Sequence, residues 1–181
     1  NGDIELKNFN EGIVLKAQKI FYDIANETIE ISDNIKIKNL NKSIGIKTQK
    51  IFYDIASDTI QSDTDSIIED DLNNSFLAEN FLFTLKDNLI KLGATKLIDA
   101  EKNIIFIEKS YINLNSKKLI GKDLVINFDN KSFQKNNEPR LSGATISSDK
   151  DETLVKKGVF TTCKKNDDCP PWQLMAQEIK H

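Results

Sequence analysis

Apolar and polar residues alternate along most of this 181-residue chain, and a period of two places every second side chain on one face of a strand. In "TIEISDNIKIKN" the apolar members are Ile29, Ile31, Ile35 and Ile37; in "NFLFTLKD" they are Phe81, Phe83 and Leu85. "YINLNS" continues the pattern through Ile112 and Leu114, and "DLVINFDN" through Leu124, Ile126 and Phe128. No segment carries a sustained i, i+3, i+4, i+7 stripe. The runs are separated by "NLNKS", "DDLNNS", "DAEKN" and "DNKS", clusters of Asn, Asp, Lys and Ser that end strands and make turns. The pattern therefore predicts an all-β protein of many short strands, with these twelve apolar residues facing inward.

The pattern is also repeated. "KAQKIFYDIANETI" occupies residues 16–29 and "KTQKIFYDIASDTI" residues 47–60, with eleven of fourteen positions identical. "AENFLFTLKDNLI" (78–90) aligns without a gap on residues 17–29, setting Phe81 on Ile20, Phe83 on Tyr22 and Ile90 on Ile29. "LVINFDNKSF" (124–133) reads as a further, degraded copy, with Phe128-Asp129 in place of Tyr-Asp. A two-stranded unit of about 30 residues cannot cover its own apolar face, so neighbouring units must stack. A β-propeller needs about 40–50 residues per blade, and four blades fit poorly into this length. The expectation is an elongated antiparallel β-jelly roll, a rolled sandwich of stacked strands with the Tyr22 and Tyr53 units adjacent. A roll has an interior, which is either a closed apolar core or, if the roll stays open, a long apolar groove.

Composition narrows the function classes. A chain of this length can bury about 70% of the surface it exposes when unfolded, so it needs no metal or disulfide scaffold. Hydrophobic residues make up 39% and charged residues 29%, with a net charge of −3, which places the chain among globular rather than disordered proteins. No apolar run approaches the roughly 20 residues of a membrane-spanning helix. Lysines and carboxylates are interspersed, with no one-signed block beyond Glu69-Asp70-Asp71, which argues against a nucleic-acid partner.

Candidate catalytic chemistry is sparse. His181 is the one histidine and the last residue, and no Ser or Cys has an evident base. The pairs Asp63/Asp65 and Asp70/Asp71 read as solvated turn residues rather than metal ligands. Gly121, Gly143 and Gly158 are scattered and form no phosphate loop. No enzyme activity and no cofactor are expected.

The repeated Ala-x-x-Ile-x-Tyr-Asp, a turn and an Ile-rich strand resemble the OstA-like domains of the LptA/LptC/LptD lipopolysaccharide-transport family, across about residues 4–157. The tail "GVFTTCKKNDDCPPWQLMAQEIKH" (158–181) resembles the segment joining the periplasmic domain of the LptD members to their outer-membrane barrel. The resemblance implies residues 1–158 as an OstA-like jelly roll and 159–181 as a Cys-containing junction to a barrel that this sequence does not include. It implies lipopolysaccharide transport and assembly at the periplasmic face of the Gram-negative outer membrane, with acyl chains sliding along the apolar interior. The groove would be lined by Ile29, Ile31, Ile35, Ile37, Phe81, Phe83, Leu85, Ile112, Leu114, Leu124, Ile126 and Phe128. Implied partners are lipopolysaccharide, an LptA-like bridge protein adding by edge-strand pairing, and an LptE-like lipoprotein reached through the barrel. The opposing expectation is a structural or protein-interaction β-repeat module with a closed core and no lipid.

Cys163 and Cys169 flank the polar loop "KKNDD" ahead of Pro170-Pro171. A zinc site would need two further ligands, which one terminal His does not supply. In the oxidising compartment that the resemblance implies, a local disulfide between them is one expectation. Pairing of Cys163 with a cysteine of the barrel, as the resemblance suggests, is the other. Trp172, after the prolines, reads as a packing anchor at the junction.

Overall fold

The structure, a computed structural model, describes residues 4–8, 12–129, 137–164 and 172–180. These contain no helix and sixteen strands. In chain order the first eight are β1 (Ile4–Asn8), β2 (Ile13–Ala17), β3 (Lys19–Asp23), β4 (Thr28–Asn39), β5 (Ile44–Asp54), β6 (Thr59–Ser62), β7 (Ser66–Glu69) and β8 (Ser75–Ala78). The rest are β9 (Phe81–Thr84), β10 (Leu89–Leu92), β11 (Thr95–Ile98), β12 (Ile104–Asn113), β13 (Lys118–Asn127), β14 (Arg140–Ser148), β15 (Thr153–Thr161) and β16 (Leu174–Lys180). Every pairing is antiparallel.

The sheet splits into two layers because the long strands bend midway. The first half of β4 pairs with β3 and its second half with β2, and the register shifts between Ser32 and Ile35. Asp33 and Asn34 make that bend with φ of 68° and 54°, the left-handed region that Asn and Asp tolerate best among residues with a side chain. β5 likewise divides between β7 and β6, and β12 between β11 and β10. Further on, Asp123 and Lys157, each also at positive φ, drop out of the ladders of β13 and β15. One layer thus runs β3, β4, β5, β6, β9, β10, β12 and onward; the other runs β1, β2, β4, β5, β7, β8, β11, β12 and onward. Both close on one apolar interior, an elongated antiparallel β-jelly roll.

The repeat has a structural meaning. Tyr22 pairs with Ile29, Tyr53 with Ile60 and Phe83 with Ile90, so each copy closes the same hairpin. Ile29 also pairs with Tyr53, which sets the first two copies two strand spacings apart, about 10 Å. The turns 24–27, 55–58, 85–88 and 114–117 lie along one rim. Their last residues, Glu27, Asp58, Asn88 and Lys117, share φ near 52°. The stack is stitched by the backbone: Ile55 N–H donates to Glu27 O, Leu85 N–H to Asp58 O, and Leu114 N–H to Asn88 O. The fourth copy belongs elsewhere. Phe128-Asp129 follows the end of β13 on the opposite rim, and the counterpart of Tyr-Asp is Ile112-Asn113, where Ile112 pairs with Leu119. Apolar identity misled there, whereas the turn-forming Asn113, which accepts from the N–H groups of Asn115 and Ser116, marks the true position.

The expected boundary at residue 158 falls inside β15, and β16 pairs along β15 in the same sheet. On the outer faces, lysines and carboxylates pair between strands, as in Lys50–Glu30 and Lys47–Glu69, both at 2.9 Å. Such exposed pairs contribute about 0–1 kcal/mol each, so burial of the interior dominates stability.

Candidate functional site

The interior is organised as rows crossing the strands. In the second layer, Leu6, Leu15, Ile37, Ile46, Ile68 and Phe76 pair in succession, and the row continues through Leu97, Ile105, Ile126, Leu141, Phe160 and Leu174. All twelve are apolar, and at about 4.8 Å per strand the row runs roughly 50 Å. The facing row in the first layer passes from Tyr22 through Ile29, Tyr53, Ile60, Phe83, Ile90 and Ile112 to Leu119. At one end of the roll Leu6 and Tyr22 are exposed, and at the other Trp172 and Leu174 are exposed. The apolar interior therefore reaches solvent at both ends.

The expected groove residues all lie on this interior. Ile31, Ile35, Ile37, Phe81, Phe83, Ile112, Leu114, Leu124 and Ile126 are buried, and Ile29, Leu85 and Phe128 are partly buried against them. The bend decides how they meet. Ile29 and Ile31 belong to one layer, while Ile35 and Ile37, from the same strand, belong to the other. Most of the second-layer row lies outside the expected set, including Ile46, Ile68, Phe76, Leu97, Ile105 and Leu141. Short runs such as "SIIE" hold too few alternations to give a phase, although their flanking turns mark them as strands.

Where the layers converge, the inward positions are small. Thr48, Ser62, Ser66, Thr95 and Ser110 are buried there. The first three form a hydroxyl network: Ser66 Oγ donates to Thr48 Oγ1 at 2.9 Å, and Ser62 Oγ to Lys50 O at 2.8 Å. Glycines take over in the later strands. A Cβ on Gly121 would stand 2.7 Å from Ile107 Cγ2, so only Gly lets β12 pack this closely.

Between the layers, near the rims, lies a cavity of ≈ 140 Å³ lined by Ile44, Phe76, Leu97, Ile112, Leu119 and Ile146 among others. Its mouth is edged by Lys42, Lys117, Asp70, Asp71, Asp99 and Asp149. Three of these aspartates are engaged in their own turns: Asp70 Oδ1 accepts from Asn74 N–H, Asp99 Oδ1 from Asn103 N–H, and Asp149 Oδ1 from Asp151 N–H. The backbone N–H of Asp151 is the main cause holding the Asp149 carboxyl below the ordinary carboxylate range. Farther along the same rim, burial and then the Asp58 carboxylate, 3.0 Å from its hydroxyl, push Tyr53 up and keep it neutral. Such a site offers apolar surface with a polar edge. Among the described residues no cluster of His, Cys, Asp or Glu could hold a metal ion.

In the tail, Cys163 is buried with Sγ 3.8 Å from Trp172 O, and Arg140 donates to the carbonyl of Cys163. The Trp172 ring packs on Phe160, centroids 6.0 Å apart, and Phe160 on Phe128 at 6.1 Å. Cys169 and His181 lie outside the described residues.

No protein-family model matches the chain, and no curated protein matches it. Among solved structures it is similar to LptH, the LptA-homologous periplasmic component of the lipopolysaccharide transport device of Pseudomonas aeruginosa. The TM-score is 0.51 at 12% identity, over 61% of this chain and 81% of that one. The likeness is one of fold.

Proposed function

We propose that this chain is a lipopolysaccharide-transport protein of the periplasm, whose β-jelly roll carries acyl chains along its apolar interior. The observation that carries this reading is the unbroken twelve-residue apolar row from Leu6 to Leu174, with exposed apolar residues at both ends. A closed globular core has no need of open ends. Each buried CH₂ of an acyl chain is stabilised by about 0.8 kcal/mol, so such a trough lets a multi-tailed lipid move without crossing water. No bond is made or broken, and the protein acts as a conduit rather than an enzyme.

Two features support the more specific assignment to the periplasmic part of an LptD-type assembly protein. The tail resembles the LptD junction, and its β16 extends the roll rather than leaving it. In this reading the groove residues from Ile29 to Phe128 contact lipid and an LptE-like lipoprotein is reached through a barrel. The outer edges of β1 and β3 at one end and of β16 at the other are unpaired among the described residues. Such edges accept a partner strand, here that of an LptA-like bridge protein. Cys163 restrains the hinge, paired either with Cys169 or with the barrel. Replacing both by Ser leaves the roll folded and impairs delivery by the full-length protein; undiminished delivery overturns their coupling role.

A structural module with a closed core is the second reading, and the small cavity favours it. An engineered protein cavity of about 150 Å³ holds a single benzene, far less than a lipid tail. The two readings are separated by p-benzoylphenylalanine at position 76, inside the cavity, or at position 106, on the outer face. Adducts to lipopolysaccharide at 76 but not at 106 support the conduit, and equal yields refute it.

A further inference from the structure

The mouth of the cavity is spanned by one turn. Residues 114–117 belong to the rim of the first layer and reach two turns of the opposite rim: Lys42 Nζ donates to Asn115 Oδ1 at 2.5 Å, and Lys117 Nζ pairs with Asp71 Oδ2. The two lysines thus cross the mouth in opposite directions. The turn's first residue, Leu114, is 8% exposed and lines the cavity. Of its repeat counterparts heading the same turn on the same rim, Ile24 and Ile55 are 77% and 40% exposed and Leu85 is partly buried against the core. One turn geometry therefore exists with its leading side chain out in solvent and with that side chain inserted.

The fastenings are weak. The side chains of Lys117 and Asp71 are 43% and 37% exposed, and pairs so open to water are individually worth little and are screened by salt. Three of the other carboxylates at the mouth are engaged in their own turns, which leaves Asp71 as the one that reaches across.

We infer that the 114–117 turn is a reversible gate over the groove, with Leu114 as its plug and Lys42 and Lys117 as its catches, and that acyl chains enter sideways beneath it. The lipid half of this inference rests on the transport reading above; the gate itself rests on the geometry. Withdrawal of Leu114 to the exposed position that Ile24 and Ile55 occupy would widen the cavity, whose walls include Phe76, Leu97 and Ile105 of one row and Ile112 and Leu119 of the other.

The test has two arms. In a Cys163→Ser/Cys169→Ser background, Leu119→Cys places a single thiol on the cavity wall, and its rate of reaction with a maleimide reports opening. Adding Lys42→Gln and Lys117→Gln, both at the surface, is expected to raise that rate about tenfold. Equal rates overturn the gate, whatever lipid does. In the second arm Asp71→Cys and Lys117→Cys are joined by a short, reducible bis-thiosulfonate linker, with p-benzoylphenylalanine at position 76 and lipopolysaccharide as the probe. Adducts are expected to fall at least tenfold while the linker is intact and to return on reduction. Undiminished adducts overturn entry beneath this turn. Absence of adducts from the unlinked protein too, with the thiol arm positive, leaves the gate standing and overturns the lipid reading instead.

Discussion

Gly143 lies directly beneath Val155 of the next strand, so that a Cβ on Gly143 would collide with Val155 Cγ1 and stand 3.3 Å from Lys156 O. The glycine is what allows β14 and β15 to approach where the two layers converge. Gly143→Ala is expected to destabilise the protein by about 1–3 kcal/mol through overpacking. Gly45 has nothing within 4 Å of an added Cβ, so Gly45→Ala serves as the contrast and leaves stability unchanged or slightly raised. Urea denaturation of the two variants decides the point, and equal midpoints would show that the convergence is not tightly packed.

Ser110, opposite Leu92 and Gly121, carries a buried hydroxyl with no hydrogen-bond partner. A buried, unsatisfied hydroxyl costs about 1–3 kcal/mol. Ser110→Ala is therefore expected to stabilise the protein by about 1 kcal/mol, read as a higher thermal midpoint. A loss of stability would mean that the hydroxyl has a partner, such as an internal water.

Phe83 is fully buried in the first-layer row, whereas Phe21 projects from the outer face. Phe83→Ala is expected to cost about 3–5 kcal/mol, and Phe21→Ala less than about 0.5 kcal/mol. Comparable losses in chemical denaturation would place the core elsewhere.

Acid sensitivity follows from the turns. Asp23 is held below the ordinary carboxylate range chiefly by the Asn26 side-chain amide, Asp54 by the N–H of Ser57, and Asp149 by the N–H of Asp151. For each, the folded form binds a proton less readily than the unfolded chain. Their stabilisation is fully present above about pH 4 and is lost as pH falls through the lowered values. Replacing all three with Asn, which can still accept in the turn, should flatten the decline in urea midpoint between neutral and acid pH. Parallel declines in the two proteins would assign the acid sensitivity to other carboxylates.

The alternation of Ile29, Ile31, Phe81, Phe83, Leu124 and Ile126 with polar neighbours determined, by itself, that these residues lie in strands and face inward, because period two leaves one apolar face to cover. The duplicated Tyr-Asp turn likewise determined that the Tyr22 and Tyr53 units are stacked neighbours, since neither can bury its face alone. What the pattern left open was the bend. Ile31 and Ile35 keep the same inward phase across Asp33-Asn34, so a flat strand and a creased one read alike, and only the tertiary structure decided that the two ends of β4 lie in different layers. The gate was equally hidden. Lys42 and Asn115 are 73 positions apart, and Lys117 and Asp71 are 46 apart. Whether such side chains meet depends on the separation of the two rims, which packing of the interior sets and no local pattern encodes. Tertiary position likewise decided that Leu114, within the stack, is inserted while Ile24, after the edge strand β3, stands in solvent.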